Sequence, residues 1–363
     1  MKILHAAETI KGGVATVVRQ IVTGQIQDNS NVVKCIAPSE QLSELYSIAD
    51  DNILSFSRTG RNLRSFLNFF FLFIKTVYKF NPDLVHLHST FSGVLGRIGL
   101  IILLPVRRPK VVYCPHAFSF MMRGNIKKMK LFALLERLFS PATDAIICVS
   151  QHEKDSAIKF GLPKRKLKVV HNGVPDVIFK PGLVSPYKNE AVNVLFVGRF
   201  DYQKGFDILL DAMKLLEGKP IFLTAVGSAV HGEEPPKERP QIVYTGWLST
   251  ERLVPYFMYA DVLVMPSRWE GFAMVALEAM SHGIPVLASN CSSFPEMIEH
   301  GYNGLLFESE DIESLISYLE NTEKETWKKL GKNANRVFLE KYTAIQMIEK
   351  TNKIYEDLLI DSD

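Results

Sequence analysis

The sequence of 363 residues contains only four cysteines, and none of them has the CxxC spacing of a zinc site or belongs to a disulfide framework. Three of them, Cys35, Cys114 and Cys148, lie in apolar runs of the kind that form strands. A reduced cysteine packs there as a small core residue. The cysteines therefore favour a reducing compartment such as the cytoplasm, and they predict no structural metal.

Long apolar runs are also missing. The nearest candidates, FLNFFFLFI at 66–74 and GLIILLPV at 99–106, are shorter than the roughly 18 residues that a spanning helix needs. The first ten residues, MKILHAAETI, lack the long apolar segment of a secretory signal. We therefore expect neither a spanning helix nor a secretory signal.

The net charge of +3 is small but unevenly distributed. Residues 1–182 carry +13, whereas residues 183–363 carry −10. A basic half beside an acidic half predicts that the first half meets something anionic, either nucleic acid or an anionic membrane. The sequence lacks RNP-like aromatics, zinc spacing and other nucleic-acid motifs, so the membrane is favoured and no nucleic-acid partner is expected.

Strand-like apolar runs alternate with helix-length segments along the whole chain. This alternation is typical of parallel sheets covered by helices on both faces. The predicted strands are 2–6, 32–37, 83–89, 110–116, 144–150 and 167–173 in the first half, and 192–199, 220–227, 241–247, 261–267, 284–289 and 303–307 in the second. The predicted fold class is α/β, with two doubly wound Rossmann-like domains.

The chain is too long for one typical core, and the Pro- and Gly-bearing segment 173–190 is the natural linker. We predict an N-terminal domain at 1–182 that includes the start of the linker. A second domain is predicted at 183–345, and a C-terminal helix at 346–363 is predicted to return to the first domain. Ligands bind at the carboxyl ends of such strands, so we expect the site in a cleft where the two sheets face each other.

Two loops after strands contain residues suited to phosphate. Gly12 and Gly13 precede a helix beginning near Val14, where backbone N–H groups can approach an anion; a plain turn explains them equally well. Arg199 and Lys204, in GRFDYQKG, can neutralise a diphosphate. Taken alone they are more typical of solvated surface charges, but their position is equivalent to that of the Gly-Gly loop, which favours phosphate.

The stretch SRWEGFAMVALEAMSHGIPVLAS, 267–289, places two carboxylates around the start of an apolar helix near 273–275. A carboxylate near a core needs a polar partner. Glu270 and Glu278 lie at most roughly 12 Å apart if the segment is helical, comparable with the reach from a sugar across a diphosphate to a ribose. Alternatively, Glu270 is a first-turn acid that matches the helix dipole and Glu278 is an exposed helix residue.

Together these stretches resemble the family-4 glycosyltransferases, retaining enzymes with the GT-B fold. EGFAMVALE resembles the E-x7-E motif of the family. GRFDYQKG, HNGV at 171–174, the N-terminal KGG and the stretch 288–307 follow in the family's order. The resemblance is densest over 192–310 and spans nearly the whole chain in outline. Ala273 departs from the pattern, because the family more often has glycine there.

The resemblance implies that the domain at 1–182 is the acceptor side and that the domain at 183–345 binds the nucleotide-sugar. It also implies a role for each matching residue. It implies that Arg199 and Lys204 hold the donor diphosphate, that Glu270 contacts the donor sugar and that Glu278 contacts the ribose. It also assigns donor-binding positions to Phe272, Ala273, Met274 and Val275, whose backbone caps the phosphates, to Gly12 and Gly13, which close from the other domain, and to Gly246, Trp247 and Leu248, which match the base-binding segment.

Histidines complete the expected site. His116, at the end of the predicted strand 110–116, matches a family histidine beside the anomeric centre, which adds it to Arg199, Lys204 and Glu270 as a catalytic candidate. His86 and His88 share one face of their strand. We interpret His88 as a weaker site candidate and His86 as structural.

The basic stretch 123–139 has two interpretations. Lys127, Lys128 and Lys130 precede a pattern in which Leu131, Leu134, Leu135 and Leu138 line one helix face. The pattern is typical of an amphipathic core helix, but it also fits an interfacial helix on anionic lipid. The charge of the first half favours membrane or acceptor contact.

The expected function is that of a metal-independent, retaining hexosyltransferase, which needs no cofactor because the nucleotide-sugar is its co-substrate. The donor is a UDP- or GDP-sugar, and the acceptor is a saccharide, lipid-linked through a polyprenyl group, used in surface polysaccharide (O-antigen- or capsule-like) synthesis. The expected location is peripheral, at the inner face of a bacterial plasma membrane. The alternatives are a non-hydrolysing nucleotide-sugar epimerase of the same fold and a non-catalytic sugar-nucleotide-binding protein.

Overall fold

The computed structural model describes residues 1–122, 125–177, 182–187, 191–229 and 239–360. The chain divides into two compact units, one of residues 1–174 with the chain from Ala344 onward, and one of residues 175–343. The junctions thus lie at 174/175 and 343/344, compared with the predicted 182/183 and 345/346. Parts of three predicted segments lie outside the described residues: 123–124 of the basic stretch, 178–181 and 188–190 of the linker, and 361–363 of the C-terminal helix.

In its described residues, the first unit has seven strands, with five α-helices in the connections between them. The strands are β1 (Lys2–Ala7), β2 (Val32–Pro38), β3 (Ile53–Phe56), β4 (Leu84–His88), β5 (Lys110–Cys114), β6 (Ala145–Cys148) and β7 (Leu167–Val169). The helices are α1 (Gly13–Gln27), α2 (Leu63–Phe80), α3 (Thr90–Leu103), α4 (Ile126–Phe139) and α5 (Gln151–Lys159). All strand pairs are parallel, in the order β3-β2-β1-β4-β5-β6-β7.

The second unit, over the residues that the structure describes, repeats this plan with six parallel strands in the order β10-β9-β8-β11-β12-β13. The strands are β8 (Val192–Val197), β9 (Ile221–Val226), β10 (Ile242–Gly246), β11 (Val262–Met265), β12 (Val286–Ser289) and β13 (Gly304–Phe307). The helices are α6 (Phe206–Leu215), α7 (Thr250–Tyr259), α8 (Met274–Ser281), α9 (Phe294–Met297), α10 (Ile312–Asn321) and α11 (Lys324–Lys341). The last helix of the chain, α12 (Ala344–Ile360), belongs to the first unit, where it packs against α1.

The fold class is confirmed, because both units are doubly wound parallel sheets. Every strand predicted from an apolar run is present. Strand β3 was missed, since it is only four residues long and sits at the edge of its sheet, where only its last residue is fully buried. The central strands β1 and β4 are buried almost throughout, as their continuous apolar runs require.

Two further sequence expectations concern cysteines and membrane spans. None of the four cysteines, all of which lie among the described residues, forms a disulfide, and Cys35, Cys114 and Cys148 are buried, which confirms them as core residues. In the described part of the chain, each helix is too short or too polar to cross a bilayer.

In each sheet the chain first adds strands on one side of a central strand and then adds the later strands on its other side, which creates one switch point. In the first unit β1 lies between β2 and β4, and in the second β8 lies between β9 and β11. The loops after these central strands diverge to opposite faces of the sheet, which leaves a crevice at their carboxyl ends. The polar loops that the sequence analysis singled out follow these same strands.

The loop after β8 is tightly packed at one glycine, Gly205. Gly205 has φ +65°, and an added Cβ would lie 1.9 Å from the carbonyl oxygen of Pro266. We expect Gly205→Ala to lower the free energy of unfolding by about 3 kcal/mol, from left-handed strain and backbone overlap together. Gly218 is the matched control, because it has φ +84° but open space around it. Gly218→Ala should cost only about 1 kcal/mol. Equal losses in denaturant titrations would contradict this packing.

Candidate active site

In the second unit, the loops that follow β8 and β11 meet through one ion pair. Lys204 lies between β8 and α6, and Glu270 lies between β11 and α8. The Lys204 ammonium is 2.5 Å from Glu270 Oε1, and the two side chains are only 18% and 7% exposed. Because β8 and β11 are neighbours at the switch point, this pair stands at the edge of the sheet where doubly wound domains bind their ligands.

Further contacts fix the Glu270 carboxylate. Ser267 Oγ donates a hydrogen bond to Glu270 Oε1 at 2.9 Å, and the Glu270 backbone N–H donates to Ser292 Oγ at 3.2 Å. Helix α8 begins only at Met274, so Glu270 is a buried loop residue and not a first-turn acid. The alternative explanation of Glu270 is therefore wrong. Ser267 and Ser292 were not predicted; the only signal for Ser267 was its position at the end of the predicted strand 261–267.

Arg199, the other predicted cation, is more exposed. Its guanidinium contacts Asp201 Oδ2 at 3.0 Å and donates to Gln203 Oε1 at 2.8 Å, and its side chain is 47% exposed. Lys204 and Arg199 are thus each balanced by a carboxylate of the second unit. Whether they converge on a diphosphate, as the spacing predicts, stays a prediction.

The start of α8 offers an anion a partial positive charge. Its N-cap residue, Ala273, makes no side-chain capping hydrogen bond, and Phe272, Ala273 and Met274 are buried while Val275 is half-buried. Uncapped N–H groups at a helix start attract anions. Glu278, one turn further along α8, is half-buried, so the interpretation of it as a fully exposed residue is wrong.

The predicted base-binding residues, Gly246, Trp247 and Leu248, lie at the end of the outer strand β10 and just after it. Gly246 ends that strand with φ +70°, a conformation that favours glycine. Trp247 is exposed and Leu248 is half-buried. A flat exposed indole is chemically suited to stack on a planar base, but the role of this segment stays a prediction.

Arg268 is a buried residue that the sequence analysis missed. Its guanidinium donates two hydrogen bonds to the Asp207 carboxylate, at 2.7 and 2.8 Å, and a third to Glu310 at 2.8 Å. It also lies 3.8 Å from the ring centroid of Tyr202. An arginine in a polar loop resembles a surface charge in the sequence. In the fold it ties the loop after β11 to α6, and so it supports the loop that carries Glu270.

The first unit has a corresponding helix start after β1. Gly12 is the N-cap of α1 with φ +57°, and an added Cβ would meet no atom within 4 Å. Gly13 is the first helical residue. Backbone N–H groups are therefore accessible at this helix N-terminus, as the phosphate interpretation requires, although a plain turn would have the same geometry.

His116 lies just after β5 in an unusual backbone conformation. His116 and Ala117 have φ values of +54° and +95°. The Glu153 carboxylate holds this segment, because its Oε1 accepts hydrogen bonds from the backbone N–H groups of Ala117 and Phe118, both at 3.0 Å. Burial lowers the pKa of His116 to about 4, so its imidazole is neutral at physiological pH.

Two further histidines extend inward from His116: His88 contacts it, and His5 contacts His88. His88 Nδ1 lies 3.1 Å from His116 Nε2, and His88 Nε2 lies 3.0 Å from His5 Nδ1. His5 was not predicted, although its strand neighbour was: parallel pairing of β1 with β4 sets His5 beside His86. One nitrogen from each of His5, His86 and His88 lies within 4.8 Å of the others, a spacing that a metal ion could bridge.

Helix α4 turns three of its four leucines outward, whereas Leu135 is half-buried. Leu131, Leu134 and Leu138 are 55%, 48% and 65% exposed, whereas its buried residues are Ala133 and Glu136. Glu136 pairs with Arg97 of α3 at 2.8 Å. The core-helix interpretation of this leucine stripe is therefore wrong. Lys127, Lys128 and Lys130, at the start of the same helix, are exposed.

Two family models match the chain. Residues 11–176 match Glycosyltransferase Family 4, and residues 185–337 match Glycosyl transferases group 1. A protein of Klebsiella pneumoniae, described as an uncharacterized 41.2 kDa protein in cps region, is 36% identical over 98% of this chain and 99% of its own length.

A second relative has a stated activity. The Escherichia coli UDP-Gal:alpha-D-GlcNAc-diphosphoundecaprenol alpha-1,3-galactosyltransferase is 25% identical over 83% of this chain and 81% of its own. Among solved structures, Anabaena Alr3699/HepE in complex with UDP superposes with a TM-score of 0.75 at 21% identity, covering 98% of this chain and all of that one. From these matches and the two doubly wound units, we conclude that the chain belongs to the group 1, family 4 glycosyltransferases and has the GT-B fold.

Proposed function

We propose that this glycosyltransferase moves a hexosyl group, with retention, from a UDP- or GDP-sugar to a lipid-linked saccharide during surface polysaccharide synthesis. The observation that carries the proposal is the buried contact of Lys204 with Glu270 at the switch point of the second unit. The E. coli relative, which uses UDP-Gal and a diphosphoundecaprenol-linked sugar, supports the choice of donor and acceptor. The Klebsiella relative, from a cps region, supports the polysaccharide.

The donor binds, in this proposal, across the loops after β8 and β11. Lys204 and Arg199 neutralise its diphosphate, and the uncapped N-terminus of α8 binds phosphate oxygens through the backbone of 272–275. Glu270 exchanges part of its contact with Lys204 for hydroxyls of the sugar, and Glu278 accepts hydrogen bonds from the ribose. The segment 246–248 contacts the base.

The reaction needs charge stabilisation on the departing nucleoside diphosphate. Cations and a helix N-terminus that already point at this charge cost little reorganisation when the bond breaks. They supply the positive charge that a divalent metal supplies elsewhere, so we propose metal-independent transfer; the sequence has no DxD-like motif in the loops of the predicted site. Retention follows if the acceptor hydroxyl attacks from the face that the diphosphate leaves and gives its proton to a leaving phosphate oxygen. His116, neutral and held in place, lies beside the anomeric carbon in this proposal.

The acceptor side is proposed to lie on an anionic membrane. Helix α2 exposes a second apolar stripe of Leu63, Leu67, Phe71 and Tyr78, which complements the outward leucines of α4. Between α2, α3 and α4 lies a cavity of about 140 Å³, lined mainly by phenylalanine, leucine and valine side chains. Apolar side chains beside exposed lysines are typical of surfaces that bind the headgroup region of a bilayer. We therefore propose a peripheral location at the cytoplasmic leaflet.

A screen of nucleotide-sugars tests the whole proposal. A donor that saturates the site at 100 times its Kd should stabilise the protein by about 2.7 kcal/mol, which thermal unfolding detects. Transfer from that donor to a polyprenyl-diphosphate saccharide should follow, with the anomeric configuration retained by NMR. Turnover of the donor without any acceptor would instead indicate the epimerase.

Lys204→Met is expected to lower kcat by about 100- to 1,000-fold, because one contact to a developing anion is lost. Lys219→Met is the matched control, since Lys219 is a more exposed lysine of the same unit that also pairs with a carboxylate, Glu320, at 3.1 Å. It should change kcat by about twofold or less. Steady-state kinetics of both variants check this, and wild-type turnover of Lys204→Met would refute the diphosphate assignment.

Glu278→Gln should weaken the binding of free nucleoside diphosphate, whereas Glu270→Gln should leave that binding nearly unchanged and lower kcat. The ribose contact is the same in the ground and transition states, but the sugar contact changes as charge develops on the ring. Isothermal titration with UDP and GDP, together with kcat values, separates the two effects. If Glu278→Gln binds the nucleotide as the wild type does, Glu278 does not hold the ribose.

Replacing Lys127, Lys128 and Lys130 with Glu should release the protein from anionic vesicles. Each lysine near such a surface contributes about 1 kcal/mol, so three together change the partition by about 100-fold or more. Binding of the wild type should also fall as salt rises. Vesicle flotation measures both effects.

The matched control replaces three exposed lysines of α11, Lys328, Lys329 and Lys332, with Glu. This variant should float with anionic vesicles as the wild type does, and both triple variants should keep donor binding. Equal flotation of the wild type with neutral and anionic vesicles would remove the support for an electrostatic membrane contact.

A further inference from the structure

A line of buried hydrogen bonds runs beneath the switch point of the first unit and ends at His116. It begins at α12, where Asn352 Oδ1 accepts from Gln25 Nε2 at 2.8 Å. Gln25 Oε1 lies 2.7 Å from His5 Nε2. From His5 the line continues to His88 at 3.0 Å and from His88 to His116 at 3.1 Å.

All imidazoles of this line are neutral. Burial lowers the pKa of His5 and of His116 to about 4, and it lowers the pKa of His88 well below the ordinary value. A neutral imidazole has one N–H donor and one bare nitrogen acceptor. When such rings are hydrogen-bonded in series, each ring donates through one nitrogen and accepts through the other. Fixing which nitrogen of the first ring is the donor therefore fixes the donor and the acceptor in every following ring.

Gln25 decides the direction. Its Nε2 is used as the donor to Asn352, so the Oε1 that faces His5 can only accept. His5 therefore carries its proton on Nε2, and its bare Nδ1 accepts from His88 Nε2. The bare Nδ1 of His88 in turn accepts from Nε2 of His116.

The last ring is thereby left with a bare Nδ1. That atom lies 3.5 Å from Cys114 Sγ, and burial raises the pKa of the Cys114 thiol, which keeps its S–H as a weak donor. The backbone next to this ring is clamped separately by Glu153, at Ala117 and Phe118. The ring and the backbone of His116 are thus held by two independent sets of contacts.

We propose that His5 and His88, oriented by Gln25, are positioning residues that hold His116 as the neutral tautomer protonated on Nε2. The reason that this matters for transfer rests on the proposed function, in which His116 lies beside the anomeric carbon. The tautomer itself does not depend on that function, and it can be measured in the protein alone.

The same histidines could instead hold a metal ion. The group His5, His86 and His88 contains three neutral imidazoles, a ligand set that zinc can accept. The hydrogen bond between His5 and His88 argues against a metal here, because it requires a proton on one of the two facing nitrogens, which a shared metal would displace. His86 lies outside the line and joins it from the side: its Nδ1 contacts Tyr355 Oη at 2.6 Å, and the Tyr355 hydroxyl is hydrogen-bonded to Gln25.

The test compares His88→Phe with His86→Phe. Both histidines are buried on β4 and side by side on one face, but only His88 belongs to the line. Two-bond ¹H–¹⁵N spectra of the ¹⁵N-histidine-labelled protein report which nitrogen of His116 is protonated, with assignment by His116→Gln. We expect the Nε2–H form in the wild type and in His86→Phe, and a mixture of both tautomers in His88→Phe. A wild type with Nδ1–H, or an unchanged His116 in a folded His88→Phe, overturns the proposal.

Activity provides a second readout. His88→Phe should lower kcat by about five- to tenfold, the effect of one hydrogen bond, with KM for the donor nearly unchanged. His88→Gln, whose amide both donates and accepts, should recover part of that loss, and His86→Phe should keep the wild-type kcat. If His88→Phe fails to fold, Gln25→Met removes the acceptor that sets the direction and should produce the same tautomer mixture; an unchanged tautomer there also overturns the proposal.

Metal analysis completes the test. Purified protein should contain no stoichiometric zinc by mass spectrometry, and chelator should leave the histidine spectrum unchanged. Stoichiometric metal whose removal shifts the His5 and His88 signals overturns the hydrogen-bonded line in favour of a metal site. If no donor or acceptor supports transfer while the tautomer behaves as expected, the positioning line stands and the proposed function fails.

Discussion

Parallel pairing of the first strand of each unit with a strand far along the chain is the constraint on which the site depends. β1 pairs with β4, which brings together His5 and His88, 83 residues apart, and β8 pairs with β11, which brings together Lys204 and Glu270, 66 residues apart. The register matters as much as the pairing. In the β1–β4 pair, His5 lies beside His86 and Ala7 beside His88, which puts three imidazoles on one face. A shift of one residue would turn them to opposite faces.

Charges buried near this edge are all held by several contacts. Glu270 is bound by Lys204 and Ser267, and Arg268 is bound by Asp207, Glu310 and the ring of Tyr202. A buried charge is costly unless its partners are fixed, and fixed partners in turn leave the loop few alternative conformations. The loops after β8 and β11 are thereby pre-organised, which is the property that electrostatic stabilisation of a departing diphosphate requires.

Helix α4 illustrates how one buried ion pair can set the outward face of a helix. Glu136 points inward because Arg97 and the Tyr113 hydroxyl bind it, at 2.8 and 2.9 Å. With that face inward, Leu131, Leu134 and Leu138 point outward. The exposed leucines are therefore not a failure of packing. They leave an apolar surface next to the lysines at the start of the helix, on the unit whose sequence is most basic.

The sequence by itself determined the element types, the two doubly wound units and the loops that hold the candidate residues. Runs such as DLVHLHS and DVLVMPS identify buried strands, because the choice between strand and helix depends mainly on residues close together in the chain. EGFAMVALE and GRFDYQKG suggested the family together with HNGV, KGG and the stretch 288–307. The tertiary structure alone decided which distant groups meet: Lys204 with Glu270, His5 with His88, Glu136 with Arg97. It also decided which face of α4 is buried and that α1 is the helix on which the returning α12 packs. These contacts depend on strand order and register, which arise from packing over the whole unit. A local pattern of apolar and polar residues does not determine strand order or register.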